Sequence, residues 1–101
     1  MAVVKVTQDN FEEVINGKST VLLDFYADWC GPCRMVGPIV EEISNERDDI
    51  TVGKINVDEE GALAEAFGIV SIPTLVVMKD GKVASQSAGA RPKAQILAML
   101  G

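Results

Sequence analysis

The chemistry of this chain is concentrated in "DFYADWCGPCRM", Asp24 to Met35. It holds both cysteines of the chain, Cys30 and Cys33, separated by Gly31-Pro32. An acid, Asp24, lies upstream inside an apolar run. Two thiols at this spacing can be a metal clip, a structural staple, a pair of inert core residues or a redox couple. Structural zinc takes four Cys or His ligands. The chain offers two cysteines and no histidine, so a metal site would have to be shared across a dimer. A disulfide staple works by restricting the unfolded chain and gains with loop length. A bridge from Cys30 to Cys33 closes almost the shortest useful loop. Inert core thiols fit poorly beside Gly-Pro at a helix start, an address that reads as exposed. A C-x-x-C pair within a strand-helix-strand pattern is the expected setting of a redox couple. The thiolate is the nucleophile, and a helix N-terminus favours negative charge. In this reading Cys30 attacks a foreign disulfide. Cys33, one turn further in, resolves the mixed disulfide. The absence of histidine removes Ser-His-Asp and Cys-His mechanisms as well.

Elements that can position this pair are legible in the pattern. "VVKV" (Val3 to Val6) reads as a short strand. Asp9 and Glu12 have capping-box spacing, with Phe11, Val14 and Ile15 at helical intervals and Gly17 as the stop. "TVLLDFYA" (Thr20 to Ala27) is nearly all apolar, as in a strand buried on both faces. Met35, Val36, Ile39, Val40 and Ile43 form a helical stripe. That helix is expected from near Cys30 to about Arg47, with Pro38 kinking it. "ITVGKINV" (Ile50 to Val57) is a strand. Asp58 is the expected N-cap of a helix through Leu63 and Phe67, ended by Gly68. Asp80-Gly81 between "TLVVM" and "KVASQS" signals a hairpin. Pro92 opens a last helix with Ile96, Leu97 and Leu100 on its apolar face. The order βαβαβα-ββα predicts one α/β domain over residues 1–101. Its single mixed sheet has about five strands, parallel where helices cross over, flanked by about four helices. Function in such sheets gathers beyond the C-terminal strand ends, where "ADWCGPC" lies.

Composition narrows the function classes. The chain has 101 residues, 48% of them hydrophobic and 24% charged, which is ordinary for a globular domain. Its net charge is −6, with nine scattered Lys and Arg. Nucleic-acid binding is not expected, since phosphate tracking needs clustered basic residues. An acidic surface disfavours anionic membranes, and no apolar run is long enough to span one. The start "MAVVKVTQDN" is too short in apolar residues for a secretory leader, so the cytoplasm is the expected location.

"WCGPC", preceded by "DFYAD" and followed by "R-M-x-x-P", resembles the thioredoxin family. "KINVDE", "GIVSIPTL", "KDG" and "AGA" follow in the family's order and spacing, so the likeness runs from Val3 to Leu100. It implies the thioredoxin fold and a dithiol-disulfide exchange protein that reduces disulfides in partner proteins. No nucleotide fingerprint or metal set exists in the sequence, so no cofactor or metal is expected, and the chain is expected to be a monomer. The resemblance implies electrons from an external NADPH- and FAD-dependent thioredoxin reductase. An oxidase or isomerase of the same fold, or a non-catalytic binding subunit, are the alternative readings.

The resemblance also assigns residues. Asp24 matches the family's buried acid, which helps deprotonate the second cysteine. By its residue type alone it could be a solvated acid on an edge strand, although its neighbours are apolar. Lys54 matches a lysine near that acid; read alone, a mid-strand lysine faces outward. Loops matching Trp29, Gly31 and Pro32, then Val70, Ser71, Ile72 and Pro73, then Ala88, Gly89 and Ala90, form an apolar docking surface. The Ile72–Pro73 bond is implied to be cis and packed opposite the disulfide. The chain departs from the commonest pattern at Tyr26, where a second tryptophan is frequent, and at Arg34, Gly37 and Ala88. Its last helix stops about one turn early. The apolar "ILAML" there reads as core packing or as a partner patch.

Overall fold

The computed structural model describes residues 3–101. The elements are β1 (Val4–Lys5), α1 (Phe11–Gly17), β2 (Thr20–Tyr26), α2 (Cys33–Glu46), β3 (Thr51–Asn56), α3 (Gly61–Ala66), β4 (Thr74–Lys79), β5 (Lys82–Ala88) and α4 (Lys93–Leu100). They build one five-stranded sheet in the order β1-β3-β2-β4-β5. β1, β3 and β2 run parallel; β4 is antiparallel to β2, and β5 to β4. The expected mixed sheet with an antiparallel hairpin edge is what forms. Asp80 (φ 52°) and Gly81 (φ 80°) both take positive φ at the hairpin, the condition of a type I′ turn.

Alternation along β2 divides the core. Leu22 faces the side on which Val36, Val40 and Ile43 of α2 pack with Val52, Leu75, Val77, Ile96 and Leu100. Val21, Leu23 and Phe25 face the other side, with Ile55, Leu63, Val76 and Met78 and the partly buried Phe11 and Phe67. The central position of β2 thus buries both its faces. Asp24 has the parity of Leu22 and lies under α2. Lys54 has the parity of Val52 on β3 and stands beside Asp24 in register.

Several element ends depart from the expected ones. The capping box at Asp9 does not form. Asn10 occupies the N-cap of α1 with no side-chain cap bond. Its amide is engaged elsewhere, accepting from the Thr7 N–H at 2.7 Å and donating to the Lys5 carbonyl. Asp58 does not cap α3; Glu60 holds that position. Instead the Asn56 Oδ1 accepts from the N–H groups of Asp58 and Glu59 and turns the chain one step later. Gly68 (φ 65°) does end α3: its N–H bonds to the Glu65 carbonyl, and that of Ile69 to the Ala64 carbonyl, a Schellman closure. α2 begins at Cys33, not Cys30, and runs through the exposed Pro38. Pro92 is the N-cap of α4 rather than its first helical residue. In α4, Ile96 and Leu100 are buried and Leu97 and Met99 pack on the same core, so its apolar character belongs to the interior.

Gly53 sits where β1 meets β3. A Cβ there would lie 2.5 Å from the Val6 Cγ2 and 3.3 Å from the Leu23 Cδ2. Val6 and Leu23 are fully buried, so neither can step aside. Gly53→Ala is expected to cost about 1–3 kcal/mol by overpacking. Urea unfolding at pH 7 measures it; an unchanged midpoint contradicts the packing described.

Candidate active site

Cys30 and Cys33 are joined in a disulfide, with Cα atoms 5.3 Å apart. The main chain between them makes a tight turn. The Cys30 N–H donates to the Ala27 carbonyl, and those of Arg34 and Met35 to the carbonyls of Gly31 and Pro32. Pro32 has no N–H, and the Cys33 N–H is directed at the Cys30 Sγ at 3.2 Å. Regular α-helical bonding therefore starts only after Cys33, which is why the helix begins later than the pattern of side chains implied. The Cys30 sulfur takes the place of a capping oxygen. A backbone N–H and the positive end of α2 both act on it.

Both cysteines are more covered than an exposed helix start suggests, at 4% and 5% of full exposure. The cover is the loop before β4. The Cys30 Sγ lies 3.7 Å from the Ile72 carbonyl oxygen. The Ile72–Pro73 peptide bond is cis. The Gly89 N–H donates to the Pro73 carbonyl at 2.8 Å and the Thr74 hydroxyl to the Ser71 carbonyl at 2.7 Å. Three loops are thereby drawn to one place: Trp29 to Pro32, Val70 to Pro73 and Ala88 to Ala90. Within them Gly31, Pro32, Ser71, Ala88, Gly89 and Ala90 are exposed. Trp29 is 70% exposed and Val70 97%, so neither belongs to the core. Beside the disulfide an apolar hollow of about 340 Å³ is lined by Trp29, Val57, Ala64, Ile69, Val70, Ser71 and Ile72.

Asp24 lies under this surface, 1% exposed, with its Oδ1 atom lacking any hydrogen-bond partner among the described residues. Burial pushes its carboxyl up to about 6, against a smaller opposing pull from Lys54. The two residues are register neighbours, but Asp24 takes part in none of the ion pairs of the described residues. The Lys54 Nζ stands instead over the Tyr26 ring, 4.5 Å from its centroid. A cleft of about 190 Å³, lined by Tyr26, Ala27, Asp28, Cys33, Arg34, Gly37 and Lys54, brings Lys54 and Tyr26 to the inner cysteine; Asp24 does not line it.

A family model described as Thioredoxin matches residues 2–101. The chain is a member of the thioredoxin family. It is 46% identical over 100 residues to the thioredoxin of Alicyclobacillus acidocaldarius subsp. acidocaldarius, covering 98% of this chain and 95% of that protein. To the thioredoxin of Bacillus subtilis (strain 168) it is 46% identical over 94 residues, 92% and 89% of the two chains. Among solved structures, a mutant thioredoxin from Halobacterium salinarum NRC-1 matches with a TM-score of 0.92 and 39% identity, over 98% of this chain and 88% of that one. With its Cys30–Cys33 pair, this thioredoxin-family chain is a thiol-disulfide oxidoreductase, a disulfide reductase acting on disulfide-containing substrates. No helix among the described residues is long and apolar enough to cross a membrane. No group of acids and thiols among them is arranged to hold a metal ion.

Two polar residues of the site escaped the sequence reading. Asp58 accepts a hydrogen bond from the Trp29 Nε1 at 2.9 Å, and Asn56 fixes the turn that places Asp58. The Asn-x-Asp at the C-terminal end of β3 was the available signal. A strand-end acid and an N-cap acid look alike in sequence, so that signal does not separate the two roles.

The buried acid makes a testable claim about stability. An unfolded Asp releases its proton near pH 4; here the folded value is about 6. Between these values the native state binds the more protons, so stability falls as pH rises from about 4 to 6 and is flat above. The loss is about 3 kcal/mol, at about 1.4 kcal/mol per pH unit of displacement. Asp24→Asn is expected to remove that slope and to be more stable than the native chain at pH 8 by about 2–3 kcal/mol. Guanidinium unfolding of the oxidised protein at pH 4 and pH 8 measures both quantities. Parallel pH dependences in the two proteins contradict the assignment.

Proposed function

We propose that this chain is a monomeric, single-domain thioredoxin that works in the cytoplasm as an electron-transport protein. It carries electron pairs from an NADPH- and FAD-dependent thioredoxin reductase to disulfides in target proteins. The carrying observation is the Cys33 N–H aimed at the Cys30 sulfur at the start of α2. It supports Cys30 as the nucleophile, because the sulfur that receives a backbone donor and the helix field is the one best held as a thiolate.

In the reduced protein the Cys30 thiolate attacks one sulfur of the target disulfide. A Cys30–target bond forms, the target S–S bond breaks, and the departing thiolate takes a proton from solvent. Trp29, Gly31, Pro32, Val70, Ser71, Ile72, Pro73, Ala88, Gly89 and Ala90 form the docking surface. Their exposed backbone and apolar side chains can accept an extended segment beside the cis bond. Asp24 then takes the Cys33 proton as general base, with Lys54 modulating its charge. A carboxyl near 6 suits that role, being ionised at neutral pH yet able to hold a proton. The Cys33 thiolate attacks the Cys30 Sγ. The target leaves with its second thiol, and the chain is left as the Cys30–Cys33 disulfide. The reductase returns two electrons and two protons to close the cycle.

The assay is reduction of insulin disulfides by dithiothreitol, with and without the chain. Cys30→Ser is expected to fall to the uncatalysed rate. Cys33→Ser is expected to accumulate a mixed disulfide visible by intact mass. Asp24→Asn is expected to slow the release step roughly tenfold or more at pH 7. That deficit should shrink as pH approaches the range where a thiol ionises unaided, near 8.5. A Cys30→Ser chain with full activity overturns the nucleophile assignment. A pH-independent Asp24→Asn rate equal to the native one overturns the general base.

A further inference from the structure

Lys54 has two places to put its charge. Asp24 and Lys54 are directly paired across β2 and β3, on the sheet face covered by α2. Tyr26, of the same parity as Asp24, is the diagonal neighbour and pairs with Asn56. Both a directly paired and a diagonal cross-strand neighbour lie within reach of a long side chain. The directly paired residue is a buried carboxylate whose Oδ1 has no hydrogen-bond partner among the described residues. Simple Coulomb attraction favours that partner, yet the ammonium lies over the ring, 4.5 Å from its centroid. There it also borders the cleft shared with Cys33, Arg34 and Asp28.

We propose that Tyr26 is a positioning residue: its ring holds the Lys54 ammonium at the wall of the Cys33 cleft and so withholds it from Asp24. The face of an aromatic ring attracts a cation through its quadrupole, and half-burial strengthens the attraction. The ammonium then stays close enough to act on Asp24 through space but does not neutralise it in an ion pair. An opposite charge in direct contact would hold the carboxylate ionised well below neutrality. Kept at the ring, it leaves the carboxyl exchangeable near pH 6. The charged and titratable groups around Asp24 are few. β3 contributes Lys54, and the cleft that Lys54 and Tyr26 line also holds Arg34, Asp28 and the disulfide-bonded Cys33. On β4 the facing residue is the uncharged Leu75. Only Lys54 can therefore be redirected by a change at Tyr26. The consequence for catalysis rests on the reading of Asp24 as the base for Cys33, but the positional claim does not.

The test is the titration of the Asp24 carboxyl carbon by NMR in the full, oxidised chain, which reads the carboxyl whether or not it serves Cys33. Tyr26→Phe keeps the ring and is expected to keep the native midpoint. Tyr26→Leu frees the ammonium and is expected to lower the midpoint by about one pH unit. In a Lys54→Met background, Tyr26→Leu is expected to have no such effect. A Tyr26→Leu midpoint that stays or rises, or that falls equally without Lys54, overturns the proposal. A second measurement needs no variant. In the native chain the Lys54 ε-methylene protons should be displaced upfield by the ring current, and unshifted resonances there overturn it as well. Native-like Asp24→Asn release kinetics would remove the base role while leaving this titration untouched, so the two claims fail separately.

Discussion

The seating of α2 across β2 and β3 governs everything at the site. Val36, Val40 and Ile43 press onto Leu22 and Val52, all fully or almost fully buried. A helix held along its length by such a stripe can turn or slide only by exposing apolar surface, at roughly 25 cal/mol per Å². Its N-terminus is thereby fixed at the C-terminal end of the central strand. From there the positive end of the helix meets Cys30, and the first buried turn sets Cys33 at the cleft lined by Tyr26 and Lys54. Chemistry at a helix terminus needs a terminus that does not move, and the apolar stripe supplies that rigidity. Lys93 of α4 reinforces the seating from outside by contacting Glu42 and Glu46 of α2 at 2.6 and 2.7 Å. Such exposed pairs add little energy alone.

The same packing explains why the acid is costly. Asp24 occupies a position that the parity of β2 assigns to the core, between Leu22 and the strand end. An apolar residue there would continue the cluster around Leu22, Leu75 and Val77. A carboxyl in this place loses its hydration, and burial accordingly raises its pKa. The fold accepts that loss at one site. The lysine that could offset it is turned toward Tyr26, so the cost to stability stands. That pattern, a local rule broken inside an otherwise consistent sheet, is what a functional position looks like physically.

Much of this was legible in the sequence because the signals are strong and local. The all-apolar β2, the α2 stripe, the Asp80-Gly81 hairpin and the Gly68 stop each depend on residues within one element. The Cys30-x-x-Cys33 pair and the odd acid in "LLDFY" were visible for the same reason. What escaped depends on competition between partners far apart in sequence. Asn10 could cap α1 but bonds to Thr7 and Lys5 instead. Asp58 could cap α3 but serves Trp29. α2 starts at Cys33 because the turn after Cys30 is closed by i→i+3 bonds, from Arg34 to Gly31 and from Met35 to Pro32. Tyr26 stood out only as a departure from a pattern; its contact with Lys54 is set by strand register. Propensity gives each side chain a list of roles, and tertiary contacts decide which one is taken.

The layout also separates recognition from proton handling. The exposed Trp29 and Val70 and the cis Ile72–Pro73 backbone lie on one side of the disulfide, facing outward. Lys54 and Tyr26 line a cleft that Cys33 shares and Cys30 does not line, with Asp24 buried next to Lys54 in register. In the proposed cycle, a target bound to the outer surface therefore occupies Cys30 without closing the space beside Cys33. If both thiols opened on one face, the bound target would exclude water from the proton acceptor at the moment the resolving thiol must ionise. Placing the acid on the α2 side of β2, one strand layer below the docking loops, avoids that conflict. In the proposed cycle, the alternation of a single buried strand thus puts the acid on the face opposite Leu23 and Phe25, on the side of Cys33 and α2.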